Sequence, residues 1–308
     1  MLSRVAERLY WMARYLERLE DTSRLANAYS HLILDLPRGV EPGWSVLIDT
    51  LNARERFRRR YTRETERNVI KFLLADRDNP SSLRASARAA RENMRTTRDV
   101  LPAPAWELVN ELYLFIEDQA DASVPRAGRA RFLLDVIGRA QQLNGLIEST
   151  VLRDQPLYFM RLGRLLERAD MTSRIVDVGA TAILKLTSVP EVPLLWANLL
   201  MSLSATSAYR RKVGPTLMPN PIVDFLFTSE QFPRSVLYCV NELEEMVGTL
   251  KAPRGLLVKL REVVTQLRGM DAEPMSLTDL HAFIDELQQR LAFVDESFHE
   301  QWFDPGGR

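Results

Sequence analysis

Two short segments with nearly the same charged residues stand about half the chain apart. LERLEDTSR occupies residues 16–24, and LERADMTSR occupies residues 166–174. Arginine and glutamate side chains in this order could form ion pairs, or they could hold a carboxylate or phosphate in a polar pocket. These segments therefore supply the first candidates for a functional site.

If each segment is a helix, its charged residues gather on one side and its apolar residues on the other. Large apolar residues such as Tyr10 and Trp11 also occur on the charged side, so we expect that side to be covered. Buried charges must be paired or bound, because an isolated buried charge is very costly. The candidate binding residues are Arg14, Glu17, Arg18, Asp21 and Arg24 in the first segment, and Arg164, Glu167, Arg168 and Arg174 in the second.

Two interpretations of these charges stay open at this point. In the first, Glu17 and Glu167 form buried arginine–carboxylate pairs that fix the two helices against each other. In the second, the arginines grip a carboxylate or phosphate ligand and the glutamates orient it. Glu17 or Glu167 could also act as a general base, but nearby arginines would keep both ionised and better suited to binding than to acid catalysis.

The segments that carry these residues are predicted to be helical. Apolar residues recur at three- and four-residue spacing along almost the whole chain, and no alternating pattern of β-strands persists. Clusters of glycine and proline, such as DNPSS (78–82) and RDQP (153–156), separate the helices. The predicted helices cover residues 3–35, 44–75, 81–99, 104–120, 126–152, 157–187, 194–212, 221–229, 233–250, 255–270 and 276–302.

Further similarities between the two halves predict an internal duplication. FLLADRDNPSS (72–82) is similar to FLFTSEQFPRS (225–235), and QQLNGLIES (141–149) is similar to QRLAFVDES (289–297). These matches keep the same order and nearly the same separation, which indicates a repeat of domain size. The expected fold is all-α: a tandem-duplicated helical bundle whose repeats, 1–150 and 151–308, pack together about a pseudo-twofold axis.

A second group of candidates forms two basic stripes in the first repeat. Three- and four-residue spacing would place the arginines of each stripe on one helix face. A solvated face, partly neutralised by nearby glutamates, is one interpretation. The other is a docking face for an acidic protein; nucleic acid is the weaker option, because few aromatic residues are available for base stacking. The stripes comprise Arg56, Arg59, Arg60, Arg63 and Arg67, and then Arg84, Arg88, Arg91 and Arg95.

Composition and the lack of known motifs argue against several classes of protein. The 41 basic residues equal the 41 acidic residues, so no whole-molecule field attracts a polyanion. The sequence has no nucleotide-binding glycine motif and no CxxC pair, and we predict no cofactor.

Glu296 and His299 have the E-x-x-H spacing of di-iron bundles, but residues 148–151 of the first repeat lack the second motif, so we predict no metal site. We predict a soluble cytoplasmic protein, because the chain has a single cysteine, Cys239, and no apolar stretch that resembles a signal peptide or a membrane span.

RLYWMARYLERLEDTSRL and RLGRLLERADMTSRI resemble the bacterial alpha-E family, helical proteins marked by a Glu-Arg motif. The resemblance covers essentially the whole chain, and the motif corresponds here to Glu17–Arg18 and Glu167–Arg168. The resemblance implies an association with circularly permuted ATP-grasp proteins and transglutaminase-like peptidases, and so a role in making or processing peptide or amide bonds.

The resemblance leads to two expected functions. The first is a non-catalytic helper subunit that binds an ATP-grasp amide ligase, or its acidic product, through arginine-rich helices. The alternative is an enzyme of peptide or amide metabolism that uses Glu17 or Glu167 in an arginine-lined pocket.

Overall fold

Helices form where apolar residues recur every three or four positions. The computed structural model describes residues 1–37, 42–184, 190–272 and 275–304, and every regular element in these ranges is helical. The α-helices are α1 (Ser3–Asp35), α2 (Ser45–Thr50), α3 (Arg54–Arg58), α4 (Glu66–Leu74), α5 (Leu83–Arg95), α6 (Ala103–Gln119), α7 (Arg126–Thr150), α8 (Gln155–Leu184), α9 (Val192–Ser202), α10 (Thr206–Lys212), α11 (Pro219–Thr228), α12 (Val236–Thr249), α13 (Arg254–Arg268) and α14 (Leu277–Phe298). A 3-10 turn at Arg98–Val100 follows α5, and a π-helix at His299–Phe303 follows α14.

The all-α class predicted from the sequence is confirmed. Helix α1 has the predicted bounds, and most other helices agree with their predictions within a few residues. Helix α8 corresponds to the prediction over 157–187, of which residues 185–187 lie outside the described ranges. No described helix combines the length and the apolar character that crossing a membrane would require.

The predictions of single helices over 44–75 and 194–212 are wrong. Asn52 lies between α2 and α3 with a φ of 47°, and Ser204 lies between α9 and α10 with a φ of 53°. A left-handed residue ends a right-handed helix, and the chain must restart in a new direction. Thr65 then caps the start of α4 by accepting a hydrogen bond from the backbone N–H of Asn68.

Helices α1 and α8 lie side by side at the centre of the bundle. Both are buried on more than one side, because they also pack against helices of each half. Gly163 on α8 permits a close approach: a Cβ atom added there would lie 2.2 Å from the backbone oxygen of Tyr10 on α1. This crossing brings the two charged segments face to face.

The two halves of the bundle repeat the same packing. Helix α1 packs against α5 and α7 in the first half, and α8 packs against α12 and α14 in the second. Helix α2 of the first half packs against α8, and α9 of the second half packs against α1. This reciprocal arrangement supports the duplication predicted from the sequence, which we keep as a proposal.

Candidate functional site

The Glu-Arg pairs of α1 and α8 are exchanged across the interface between the two helices. Glu17 accepts hydrogen bonds from Nε and Nη2 of Arg168 at 2.6 and 2.9 Å. Glu167 accepts hydrogen bonds from Nε and Nη2 of Arg18 at 2.5 and 2.9 Å. We call Glu17–Arg168 and Glu167–Arg18 the crossed ion pairs. Their reciprocity is the arrangement expected at an interface with twofold symmetry.

Both carboxylates of the crossed ion pairs are closed off from solvent and held ionised. Glu17 is 0% exposed and Glu167 is 1% exposed. Burial raises the pKa of Glu17, but Arg168 and Arg234 outweigh this effect and lower it to about 2. Burial is likewise outweighed at Glu167, whose pKa is lowered by Arg18 and Arg14. Inaccessible carboxylates with lowered pKa values suit structural pairing better than proton abstraction.

Two equivalent arginines near the crossed ion pairs each contact the last helix of the opposite half. Arg14 donates from Nε to Glu167 and from Nη1 to Asp295 on α14, both at 2.8 Å. Arg164 stands at the equivalent position of the second segment and donates from Nη2 to Glu148 on α7 at 2.5 Å. Arg14 therefore extends the network of Glu167 to α14, whereas Arg164 holds α8 against α7 without a hydrogen bond to Glu17.

An acidic cluster of Glu17, Glu20 and Asp21 lies at one end of this network and surrounds Arg234. Arg234 Nη1 lies 3.1 Å from Glu17, and its Nη2 lies 3.0 Å from Glu20. Arg234 also donates to Oδ1 of Asp21, whereas Oδ2 has no hydrogen-bond partner among the described residues. Burial, together with Glu17 and Glu20, outweighs Arg234 and raises the pKa of Asp21 to about 7.

The sequence analysis missed Arg234, although the internal repeat contains a signal that could have found it. Met171 stands where Asp21 stands in the first segment, and Ser81 stands where Arg234 stands in the second half. Position 21 of the first half and position 234 of the second thus carry opposite charges, whereas the equivalent positions, Met171 and Ser81, carry none. Because Asp21 and Arg234 are both present at one pair of positions and both charges are absent at the equivalent pair, a contact between them is expected.

An open cleft lies beside the acidic cluster, between α1, α7, α8 and α12. Its cavity volume is about 620 Å³. Charged side chains dominate its lining, and Tyr238, Gln141 and Asn144 add further polar groups. We call this space the arginine cleft. It is lined by Arg24, Arg161, Arg164, Arg168 and Arg234, and by Glu20, Glu148 and Glu242.

The predicted binding residues are divided between different surroundings. Arg24, Arg164 and Arg168 line the arginine cleft. Arg24 is also paired with Glu20 at 2.6 Å. Arg174 does not line the cleft and instead pairs with Asp170 at 2.9 Å. The remaining predicted residues lie in the buried network at the crossing of α1 and α8.

The first basic stripe does not form a helix face, so this prediction is wrong. Helix α3 ends at Arg58, and Arg59, Arg60 and Arg63 lie in the connection to α4. Arg56 belongs to α3 and Arg67 to α4, so no common helix axis aligns the five arginines.

The second basic stripe does lie on α5, but it is not an open face. Arg84 is buried and donates to the backbone oxygen of Ala75 at 2.8 Å and to Asp121 at 2.7 Å. Arg91 packs 5.0 Å from the ring centroid of Tyr113. Arg88 and Arg95 are exposed. Of the second stripe, only these two side chains are exposed to solvent, and the predicted role in docking a partner stays a prediction.

One group of described residues has the composition of a metal site. Asp177, His281 and Asp285 offer ligand atoms that all lie within 4.8 Å of one another. The imidazole already bridges the two carboxylates, with Nδ1 2.7 Å from Asp177 and Nε2 3.6 Å from Asp285. The contacts are explained by ion pairing, which also raises the pKa of His281 through Asp177.

The fold and the crossed ion pairs define an all-helical protein whose two central helices are joined by exchanged Glu-Arg pairs. The chain belongs to the Alpha-E family, described as a predicted alpha-helical domain with a conserved ER motif, which matches residues 1–303. No curated protein and no solved structure matches the chain. The chain has five Glu-Arg dipeptides, and the structure distinguishes 17–18 and 167–168 as those in the crossed ion pairs.

Proposed function

We propose that this protein is a non-catalytic helper subunit of an ATP-grasp-type amide ligase and that its arginine cleft holds a carboxylate-bearing substrate or product of that ligase. The binding part of the proposal rests on one observation, the open cleft in which arginines keep unused hydrogen-bond donors. The ligase partnership rests on the resemblance to the alpha-E family.

Two arginines of the cleft have donors to spare. Arg161 donates from Nε and Nη2 to Glu148, and Arg164 donates to it from Nη2 alone. Nη1 of each arginine makes no hydrogen bond to a described residue, and the buried Nε of Arg164 also lacks a partner. A guanidinium group matches a carboxylate in shape and charge, so a ligand carboxylate in the cleft would satisfy the two Nη1 donors.

The balance of charge in the cleft limits the class of ligand. Five arginines and three glutamates line it, and the buried carboxylates of Glu17 and Asp21 lie behind the arginines. Nucleic acids and polyphosphates bind best where positive charge is in large excess. A small ligand with one or two carboxylates fits this near-balance better.

A helper role is supported over catalysis by the state of the glutamates. Glu17 and Glu167 are each held by a two-pronged arginine contact and have no access to a substrate. An ATP-grasp partner would supply the nucleotide chemistry for which this sequence has no motif.

The partnership is tested by purifying the chain with and without a circularly permuted ATP-grasp protein of the kind that the family resemblance implies. Amide formation from amino acids and ATP is then measured for each protein alone and for the mixture. We expect no turnover by this chain alone and an increased rate in the mixture. Turnover by this chain alone, or the lack of both co-purification and any effect on the ligase, would contradict the proposal.

The binding site is tested by comparing two arginines that contact the same glutamate. Arg164→Gln should weaken binding of the product by about tenfold or more, since a hydrogen bond to a charged group contributes about 1.5–3 kcal/mol. Arg153→Gln is the matched control, because Arg153 lies 3.7 Å from Glu148 but is 61% exposed and outside the cleft. Equal binding by the two variants would remove the cleft from the proposal.

A further inference from the structure

We infer that the arginine cleft selects ligands that carry an amine as well as a carboxylate, such as a free amino acid, and that Glu242 binds the ammonium group. This inference rests on the proposed function and names the class of ligand for the same cleft.

Glu242 is the carboxylate of the cleft that lacks a partner. Glu20 is paired with Arg24 and Arg234, and Glu148 is paired with two arginines of α8. Glu242 forms no hydrogen bond and no ion pair with any described residue, although it is only partly exposed. An unpaired and partly desolvated carboxylate is a site where a cation is stabilised.

The electrostatic surroundings of Glu242 agree with this role. Burial and then the neighbouring carboxylate of Glu245 raise the pKa of Glu242, although Arg161 and Arg164 act in the opposite direction. An ammonium group placed beside Glu242 would replace the missing positive partner. The ionised carboxylate would then be stabilised by a charge-assisted hydrogen bond.

Glu148 explains why Glu242 does not simply pair with the arginines of the cleft. Arg161 and Arg164 overcome the effect of burial and lower the pKa of Glu148 to about 2, so Glu148 stays ionised and keeps both arginines in place. Arg161 and Arg164 remain close enough to affect Glu242, yet they form no ion pair with it. The carboxylate of Glu242 and the guanidinium groups of Arg161 and Arg164 therefore line the same cleft without pairing with each other.

Glu242 lies on the side of α12 that lines the cleft. Tyr238, Glu242 and Met246 follow one another at four-residue spacing and all line the cleft. The arginines with free donors come from α8, which packs against α12. A ligand that lies between α8 and α12 can therefore place its carboxylate at Arg161 and Arg164 and its amine at Glu242.

The test measures binding of each standard L-amino acid and of its N-acetyl derivative to the full chain by isothermal titration calorimetry. Acetylation removes the positive charge of the amine and keeps the carboxylate and the side chain. We expect at least one amino acid to bind about tenfold or more tightly than its N-acetyl derivative, since a charge-assisted hydrogen bond is lost. In Glu242→Gln this preference should disappear while binding of the N-acetyl derivative is unchanged or stronger.

Glu244→Gln is the matched control, because Glu244 lies on the same helix, pairs with Arg261 and does not line the cleft. It should keep the preference for the free amine. If free and acetylated ligands bind wild-type protein equally, or if Glu242→Gln keeps the preference, the inference is wrong and carboxylate binding in the cleft still stands. If neither set of ligands binds, carboxylate binding fails, and the inference fails with it.

Discussion

Replacement of Glu167 by glutamine should lower the free energy of unfolding by about 3–5 kcal/mol, the cost of removing one partner from a buried ion pair. Glu167 accepts from Nε of Arg14 at 2.8 Å and from Nε and Nη2 of Arg18 at 2.5 and 2.9 Å. Glutamine keeps one acceptor oxygen and loses the charge that stabilises both arginines. The side chains of Arg14 and Arg18 are only 10% and 20% exposed, so water cannot fully replace the carboxylate.

Glu55→Gln provides a matched control within the same chain. Glu55 also belongs to a Glu-Arg dipeptide, and it pairs with Arg59 at 2.5 Å. The two side chains are 83% and 71% exposed, however, so their attraction is screened by solvent. Loss of an exposed pair of this kind changes the free energy of unfolding by about 0–1 kcal/mol. The difference between the two variants measures what burial contributes.

Urea unfolding followed by far-UV circular dichroism is the assay, with equal slopes required of all variants. A double-mutant cycle that combines Glu167→Gln with Arg18→Gln should give a coupling energy of about 0.5–3 kcal/mol. If Glu167→Gln destabilises the protein no more than Glu55→Gln does, the crossed ion pairs are not a buried structural element and our reasoning about them is refuted.

Three further predictions concern the same interface. Gly163→Ala should destabilise the protein by about 1–3 kcal/mol, because the added Cβ would lie 2.2 Å from the Tyr10 backbone oxygen. Gly145→Ala should instead stabilise helix α7 by about 0.5–1 kcal/mol, because no atom lies within 4 Å of the added Cβ. Equal urea midpoints for the two variants would contradict this account. Because the folded state raises the pKa of Asp21 from 3.8 to about 7, its contribution to stability should be fully present below the unfolded value and be lost as pH rises through 7. The melting temperature of Asp21→Asn should therefore fall less than that of wild type between pH 4 and pH 8, and parallel curves would show that Asp21 does not titrate in this range. Arg234→Ser should lower the free energy of unfolding in urea at pH 8 by about 3–5 kcal/mol, since three carboxylates lose their shared partner. Adding Asp21→Met should recover part of that loss by giving positions 21 and 234 the residues of the equivalent positions, Met171 and Ser81; no recovery would refute the link between positions 21 and 234.

Much of the helical architecture could be predicted from the sequence because helix formation depends on local spacing. The apolar residues of α1 recur regularly from Ser3 to Asp35, and the observed bounds agree with the prediction. The breaks at Asn52 and Ser204 were missed, because a left-handed residue interrupts a helix without interrupting the apolar pattern around it. The prediction of one helix face for the first basic stripe was wrong for the same reason, because it assumed a continuous helix whereas α3 ends at Arg58.

The sequence by itself showed that α1 and α8 carry the main candidate residues, because the charged segment occurs in both helices, at 16–24 and 166–174. Burial of those charges was also expected from the large apolar residues among them. The sequence did not decide which charges would pair. Arg18 could have bonded within its own helix, as Arg24 does with Glu20, and only the crossing of α1 and α8 brings it to Glu167.

The tertiary structure alone decided the contents of the site. Hydrogen bonds and Coulomb interactions depend on distances between atoms, and residues far apart in sequence acquire those distances only when the helices pack. Arg234 reaches the acidic cluster from a turn more than two hundred positions away from Asp21 in sequence, and Glu242 faces the arginine cleft because α12 lies against α8. Composition and spacing could name the charged residues, but packing selected which of them are satisfied and which are left for a ligand.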